Sequence, residues 1–195
     1  MRCPYCRTRL AETSPECPSC KLTLARANAL LGPMPRLTPG VADLAEVLPR
    51  GDAARIGKAL QRLTWTFPQI TLQVVIHGFP AEHPFDLHVF WLFNGGGFSI
   101  ESAKGGGNHG ILLALDPVQG RAALMVGYGL EPFLGDEALD HLLELSEPAW
   151  KEGKWTRGIL DVIGGLDLLL ESAALEAAGG FGLSALATTP RKGEF

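Results

Sequence analysis

Four cysteines stand in the first twenty residues as Cys3-x2-Cys6 and Cys17-x2-Cys20, with ten residues between the pairs. Each C-x-x-C segment can fold as a tight turn that aims two sulfurs at one centre. Two such turns complete a tetrahedral thiolate site of the kind that holds zinc. Two other chemistries fit less well. Disulfides persist in oxidising compartments. A thioredoxin-like redox site calls for a single C-x-x-C after a strand in a βαβ unit, and residues 1–26 carry no strand-forming run. A closed four-thiolate site leaves no open position for substrate, so the head is expected to be structural or adhesive. The metal supplies the stability that so short a segment cannot draw from apolar burial, and the core of the rest of the chain is expected to lie elsewhere.

The second stretch with chemical potential is LMVGYGLEPFLGDEALDHLLEL, residues 124–145, where a strand pattern turns into a helix pattern around Gly127, Tyr128, Gly129, Glu131 and Asp136. Carboxylates beside asparagine oxygens and backbone carbonyls suit a hard divalent cation, Ca²⁺ or Mg²⁺. Asp136 also stands where helix N-caps stand, and Glu131 can accept amide hydrogens from a neighbouring loop. Both readings stay open for Glu131, and capping is favoured for Asp136. Other chemistries find little support. NGGGF and KGGGN lack the order of a phosphate-binding loop. His77, His83, His88, His109 and His141 form no H-x-x-x-H pair, and no Ser-His-Asp or Cys-His arrangement can be read from the residue order.

The elements that must position these residues follow from periodicity. Asp52 offers an N-cap, and Ile56, Leu60 and Leu63 recur at helical spacing before Pro68. Residues 70–76, ITLQVVI, read as a strand. Pro84 opens a helix with Phe85, Val89, Leu92 and Phe93 on an apolar stripe. A Gly-rich loop, NGGGFSIESAKGGGNHG, leads into GILLAL, an unbroken apolar run suited to a strand buried on both faces. DPVQG turns the chain back into RAALMVGYG, an antiparallel partner. Helices at 136–151 and 156–177 finish the order α-β-α-β-β-α-α, an α/β sandwich with a mixed sheet. Trp91, Trp150 and Trp155 fall in helices, where packing explains them.

In that order the first two strands run parallel and the last two antiparallel. The Gly-Tyr-Gly turn then meets the Gly-rich loop at one end of the sheet, which gathers Glu131, Asp136, Asn94 and Asn108. Asp116, at the hairpin, belongs to the other end. The expected organisation is a head at 1–26, a linker at 27–51 with a short helical turn at 41–47, an α/β domain at 52–178 and a disordered tail at 179–195.

Two resemblances add to this reading. CPYC and CPSC each resemble one knuckle of a short zinc ribbon, which assigns zinc to Cys3, Cys6, Cys17 and Cys20 and implies a protein partner for the head. Residues 40–172 resemble the TPM domain family through WLFN, Lys104 and Asn108 before GILLAL, the turn containing Asp116, VGYGLE with LGD close behind, and WKEGKWTRGILDVI. The resemblance implies an α/β sandwich and three modes of action: acid phosphatase activity, calcium binding at the sheet edge, or modulation of membrane assemblies. Where the family has DNG before the central strand, this chain has Asn108-His109-Gly110, so one expected metal-binding carboxylate is missing. Family members are also usually exported or tethered to membranes, and this chain shows neither signal.

Composition bounds the rest. The net charge of −4 argues against a broad basic surface for nucleic acid. Residues 1–26 carry +3, from Arg2, Arg7, Arg9, Lys21 and Arg26 against Glu12 and Glu16, and the remainder carries −7. Four thiolates and one Zn²⁺ add a formal −2, so the head's cations offset its own site. No membrane span and no secretory leader are visible, which makes the cytoplasm the expected compartment. The expected function is a binding or assembly module, with a metal-dependent phosphatase acting on phosphate monoesters as the alternative.

Overall fold

The computed structural model describes residues 2–11, 14–35, 37, 40–96 and 109–180. The Gly-rich loop with Lys104 and Asn108 lies outside the described residues, as does the tail from 181. Among the described residues nine elements follow one another: α1 (Leu24–Leu31), β1 (Val41–Asp43), α2 (Asp52–Thr66), β2 (Thr71–Ile76), α3 (Phe85–Gly95), β3 (Gly110–Asp116), β4 (Arg121–Val126), α4 (Asp136–Lys151) and α5 (Trp155–Gly180).

The four strands make one mixed sheet in the order β1-β2-β3-β4. β1 and β2 are parallel, β2 and β3 are parallel, and β3 and β4 are antiparallel. The period-two alternation of a strand divides the core in two. Leu72, Val74 and Ile76 of β2 join Ile111, Leu113 and Leu115 of β3 on one face, under Ile56, Leu60 and Leu63 of α2 and Ile159, Val162 and Leu166 of α5. Val75, Leu112 and Ala114 face the other way, against Phe85, Leu87, Val89 and Leu92 of α3. β2 and β3 are therefore buried on both faces, as expected for a central pair. Because β1, β2 and β3 follow one another across the sheet while α2 and α3 lie on opposite faces, the two crossovers have opposite hands, an exception to the usual right-handed rule.

Two elements differ from expectation in the stretch read as linker. Residues 41–43 form an edge strand instead of a helical turn, with Val41 opposite Val74 and Asp43 opposite Ile76. The carboxylate of Asp43 then accepts the amides of Val47 and Leu48 at 3.3 and 2.8 Å, which closes the turn that follows. The buried Gln73 fastens the strand's entry by accepting the Gly40 amide at 2.9 Å. The other difference is α1, which starts from Thr23, whose hydroxyl accepts the Arg26 amide at 3.1 Å.

The second core cluster also contains Cys3, Cys17, Leu22 and Ala27. The head therefore shares the core of the sheet domain, contrary to the expectation of a core lying elsewhere. Asn28 of α1 accepts a hydrogen bond from Trp91 Nε1 of α3 at 2.8 Å, and Arg7 pairs with Asp86 at 2.7 Å. No helix among the described residues is long and apolar enough to cross a membrane.

Candidate metal centre and sheet-edge groove

The two cysteine turns have the same local geometry. Cys3 donates its amide to Thr8 O and Cys17 donates its amide to Leu22 O, at 2.9 and 3.0 Å, five residues on in each case. Arg7 N donates to Cys3 O and Lys21 N to Cys17 O, both at 2.9 Å. Arg7 and Lys21 occupy the left-handed region, with φ of 63° and 58°. The chain tolerates that strain twice to turn both sulfurs of each pair inward.

The result is one cluster. Cys3 Sγ lies 3.6 Å from Cys20 Sγ and Cys6 Sγ 3.6 Å from Cys17 Sγ. All four sulfurs lie within 4.8 Å of one another. A tetrahedron with metal–sulfur bonds of about 2.3 Å has edges of about 3.8 Å, so donor set and spacing both fit a metal ion. Among the described residues this is the one group of three or more His, Cys, Asp or Glu side chains close enough to share an ion. Without a cation the thiols differ. Hydrogen bonding with Thr8, whose hydroxyl lies 3.3 Å from the sulfur, pulls Cys6 down to about 6. Burial pushes Cys20 up to about 12 and also raises Cys3. A bound cation would have to displace those protons, which couples its affinity to pH.

The connection from β4 to α4 carries Glu131. Leu130 donates its amide to Gly127 O at 2.8 Å and Leu134 to Leu130 O at 2.9 Å, two successive turns pinned by the buried Leu130 and Leu134. Glu131 is left exposed on the outside of these turns. Asp136 is the first residue of α4, and Gly135 is the N-cap with no side-chain capping bond. The expected capping role of Asp136 is thus corrected by one residue. Its carboxylate sits in the first turn, where the helix dipole favours negative charge. Asp52 shifts in the same way. Gly51, at φ 89°, caps α2, and the Asp52 carboxylate instead accepts from Thr156 Oγ1 at 2.6 Å, tying α2 to α5.

Glu131, Asp136 and Asn94 line one groove of about 440 Å³ beside Arg2 of the head. Asn94 uses its amide nitrogen on Phe90 O at 2.8 Å. Glu131 and Asp136 also line a larger groove of about 1000 Å³, which Arg2, Arg7 and Arg9 wall from the other side. Sequence reasoning credited these arginines to the head's own charge balance and missed their placement; nothing in their spacing signals a partner more than a hundred residues on. Asp116 lies at the opposite end of the sheet, as expected. Fully buried, it accepts the amides of Val118 and Gln119 and pairs with Arg121 at 2.6 Å.

The fold gathers three of the five histidines, which no spacing in the sequence pairs. His77, His83 and His88 line a cavity of about 400 Å³ beyond the carboxyl end of β2. His88 Nε2 lies 3.2 Å from Pro80 O, and burial lowers its pKa, with His83, Arg121 and His77 adding to the effect.

The TPM domain family matches residues 41–168. The N-terminal domain of a protein from P. gingivalis, solved in solution, is 24% identical at a TM-score of 0.51, with 70% of this chain and 83% of that one covered. The N-terminal domain of a Corynebacterium glutamicum protein is 16% identical at a TM-score of 0.50, with 85% of this chain and 95% of that one covered. Both likenesses concern the fold. No curated protein matches. That family match spans well over half of the chain and most of its α/β region, and the chain belongs to the TPM domain family.

Proposed function

We propose that the protein is a binding or assembly module of a reducing compartment such as the cytoplasm, in which a zinc ribbon and a TPM domain present one shared surface. The observation that carries this reading is the placement of the cysteine head, whose arginines face Glu131 and Asp136 across the large groove. Zinc is the natural occupant of four thiolates at tetrahedral spacing, and a closed site of this kind serves structure and partner contact. The edge at Glu131, Asp136, Asn94 and Asn108 would hold a divalent cation, Ca²⁺ or Mg²⁺, through oxygen donors.

A second reading is hydrolysis of phosphate monoesters with that cation, the arginines receiving the phosphate. Against it, the described residues lining the two grooves include no histidine to move a proton. Elemental analysis of the purified protein is expected to give about one zinc per chain. Calorimetric titration is expected to show Ca²⁺ or Mg²⁺ binding that Glu131→Gln weakens while the melting temperature stays nearly unchanged. Absence of zinc removes the ribbon, and equal titrations of wild type and Glu131→Gln remove the cation site. Turnover of a phosphomonoester that depends on the divalent ion would favour the second reading.

A further inference from the structure

We infer that β4 is a docking edge for an extended peptide of another protein, which adds to the sheet as a fifth strand with carboxylates on the side chains that face the ribbon. This names the partner class of the binding-module reading and rests on it.

The argument starts from hydrogen-bond phase. Gly127 donates to Gly110 O at 2.9 Å, and in an antiparallel pair such bonds recur at every second residue. Arg121, Ala123 and Met125 therefore direct their backbone groups at β3, whereas Ala122, Leu124 and Val126 direct theirs outward. Leu115 confirms the phase, since its carbonyl accepts from His77 on the β2 side rather than from Ala122. Among the described residues no backbone partner serves the outward groups of Ala122, Leu124 and Val126.

Natural sheets blunt such edges with lysine, proline, a bulge or brevity. β1, the other edge, is three residues long and is closed by Asp43. β4 has six residues, all partly exposed, and its one charge is Arg121, which is committed to Asp116 and stacks on Phe85. Its surroundings favour a thin occupant. Ala123 to Met125 form the floor of the groove of about 1000 Å³, with the ribbon on one side and α4 with its leading turn on the other. These walls flank the strand on both sides and oppose edge-to-edge pairing of two whole copies.

Charge then selects the occupant. Arg2 and Arg9 on the ribbon side are exposed and pair with no carboxylate among the described residues. Glu131, Asp136 and Asp140 on the α4 side have no cation partner among them either. A strand laid beside β4 sends alternate side chains to these two sides. Carboxylates fit the arginine side and are repelled by the acidic one, where Leu139 favours an apolar group. The fitting segment is about six residues of acidic–apolar alternation.

The test uses the full chain with its metal and the probe acetyl-Glu-Val-Glu-Val-Glu-Val-Glu-Val-amide, against a block peptide of the same composition and an alternating Lys-Val peptide. Saturable binding of the Glu-Val probe is expected, with the block peptide about tenfold weaker or worse, because it offers the same backbone groups but turns carboxylates toward the acidic side and valines toward the arginines. The amides of Ala122, Leu124 and Val126 should become protected from exchange while those of Ala123 and Met125 stay as they were. Ala122→Pro removes one outward donor and should weaken the probe about tenfold. If that variant fails to fold, the exposed pair Arg2→Glu with Arg9→Glu carries the test, and it should reverse the preference toward the Lys-Val peptide. Equal binding of alternating and block peptides, an unchanged affinity in folded Ala122→Pro, or protection of these amides by self-association overturns the inference. Zinc content and the Glu131→Gln titration are measured separately, so a failure here with those results intact leaves the metal reading standing.

Discussion

At the residue scale, the most exacting placements are of charged or titratable groups that the fold encloses. His88 is buried against Phe79, with His77, His83 and Arg121 nearby, and its lowered pKa means that the folded state resists taking the proton. The unfolded state binds that proton below about 6.5. Stability contributed by neutral His88 is therefore fully present above pH 6.5 and is lost as the pH falls from there toward its folded value. Chemical denaturation across pH 5 to 8 is expected to show this decline in wild type, and a shallower one in His88→Gln. The two acids of the Gly-Tyr-Gly turn separate by a different argument. Asp136 lies in the first turn of α4 without a capping bond, so Asp136→Ala forfeits the dipole interaction alone, about 0.5 kcal/mol, where loss of a true N-cap would cost about 1 kcal/mol. Melting curves with linked denaturant titrations distinguish these values.

At the scale of the element, α5 shows how one helix tolerates five glycines. A side chain at Gly158 would collide with the indole of Trp150, and one at Gly165 with Leu142, so these two positions let α4 and α5 approach closely. Gly164 has nothing within 4 Å and is exposed. Gly164→Ala is expected to stabilise the protein by about 0.5–1 kcal/mol through helix propensity. Gly158→Ala gains the same propensity but must displace a buried aromatic ring, which costs about 1–3 kcal/mol. The expected order of melting temperatures is Gly164→Ala, then wild type, then Gly158→Ala. A Gly158→Ala melting temperature above that of wild type would show that Trp150 swings aside freely. The elements easiest to recognise were those with long apolar repeats, α2 through Ile56, Leu60 and Leu63, and β3 through its unbroken run. β1 escaped because three residues between proline-rich neighbours carry no period. α1 escaped because its eight residues make little more than two turns, and it is held by the Asn28–Trp91 bond, 63 positions apart.

At the scale of the whole molecule, the cysteine head and the sheet domain share a core. Cys3 and Cys17 are each 1% exposed and sit in the same cluster as Phe85, Val89 and Leu112. Loss of the thiolate site would loosen not only residues 1–26 but also the outer cover of α3. Chelation of the metal, or the double variant Cys3→Ser with Cys20→Ser, is expected to lower the melting temperature of the entire chain in one transition. Calorimetry that finds the main transition unmoved after metal loss would mean that the docking contributes nothing to the stability of the sheet.

The thiolate site, the layered α/β class and the mixed sheet are properties of local pattern, because ligand spacing, apolar periodicity and turn residues act over a few positions and need no distant partner. Glu131 was singled out for the same reason, as a carboxylate placed just after Gly-Tyr-Gly. What only the tertiary structure decided are the relations between segments far apart in the chain. These are the ribbon's packing on α3, the arginines set opposite Glu131 and Asp136, the three histidines drawn into one cavity and the open edge of β4. Each depends on the path of the sheet and on which face each helix covers, and those are set by the burial of the whole core rather than by any one stretch of residues.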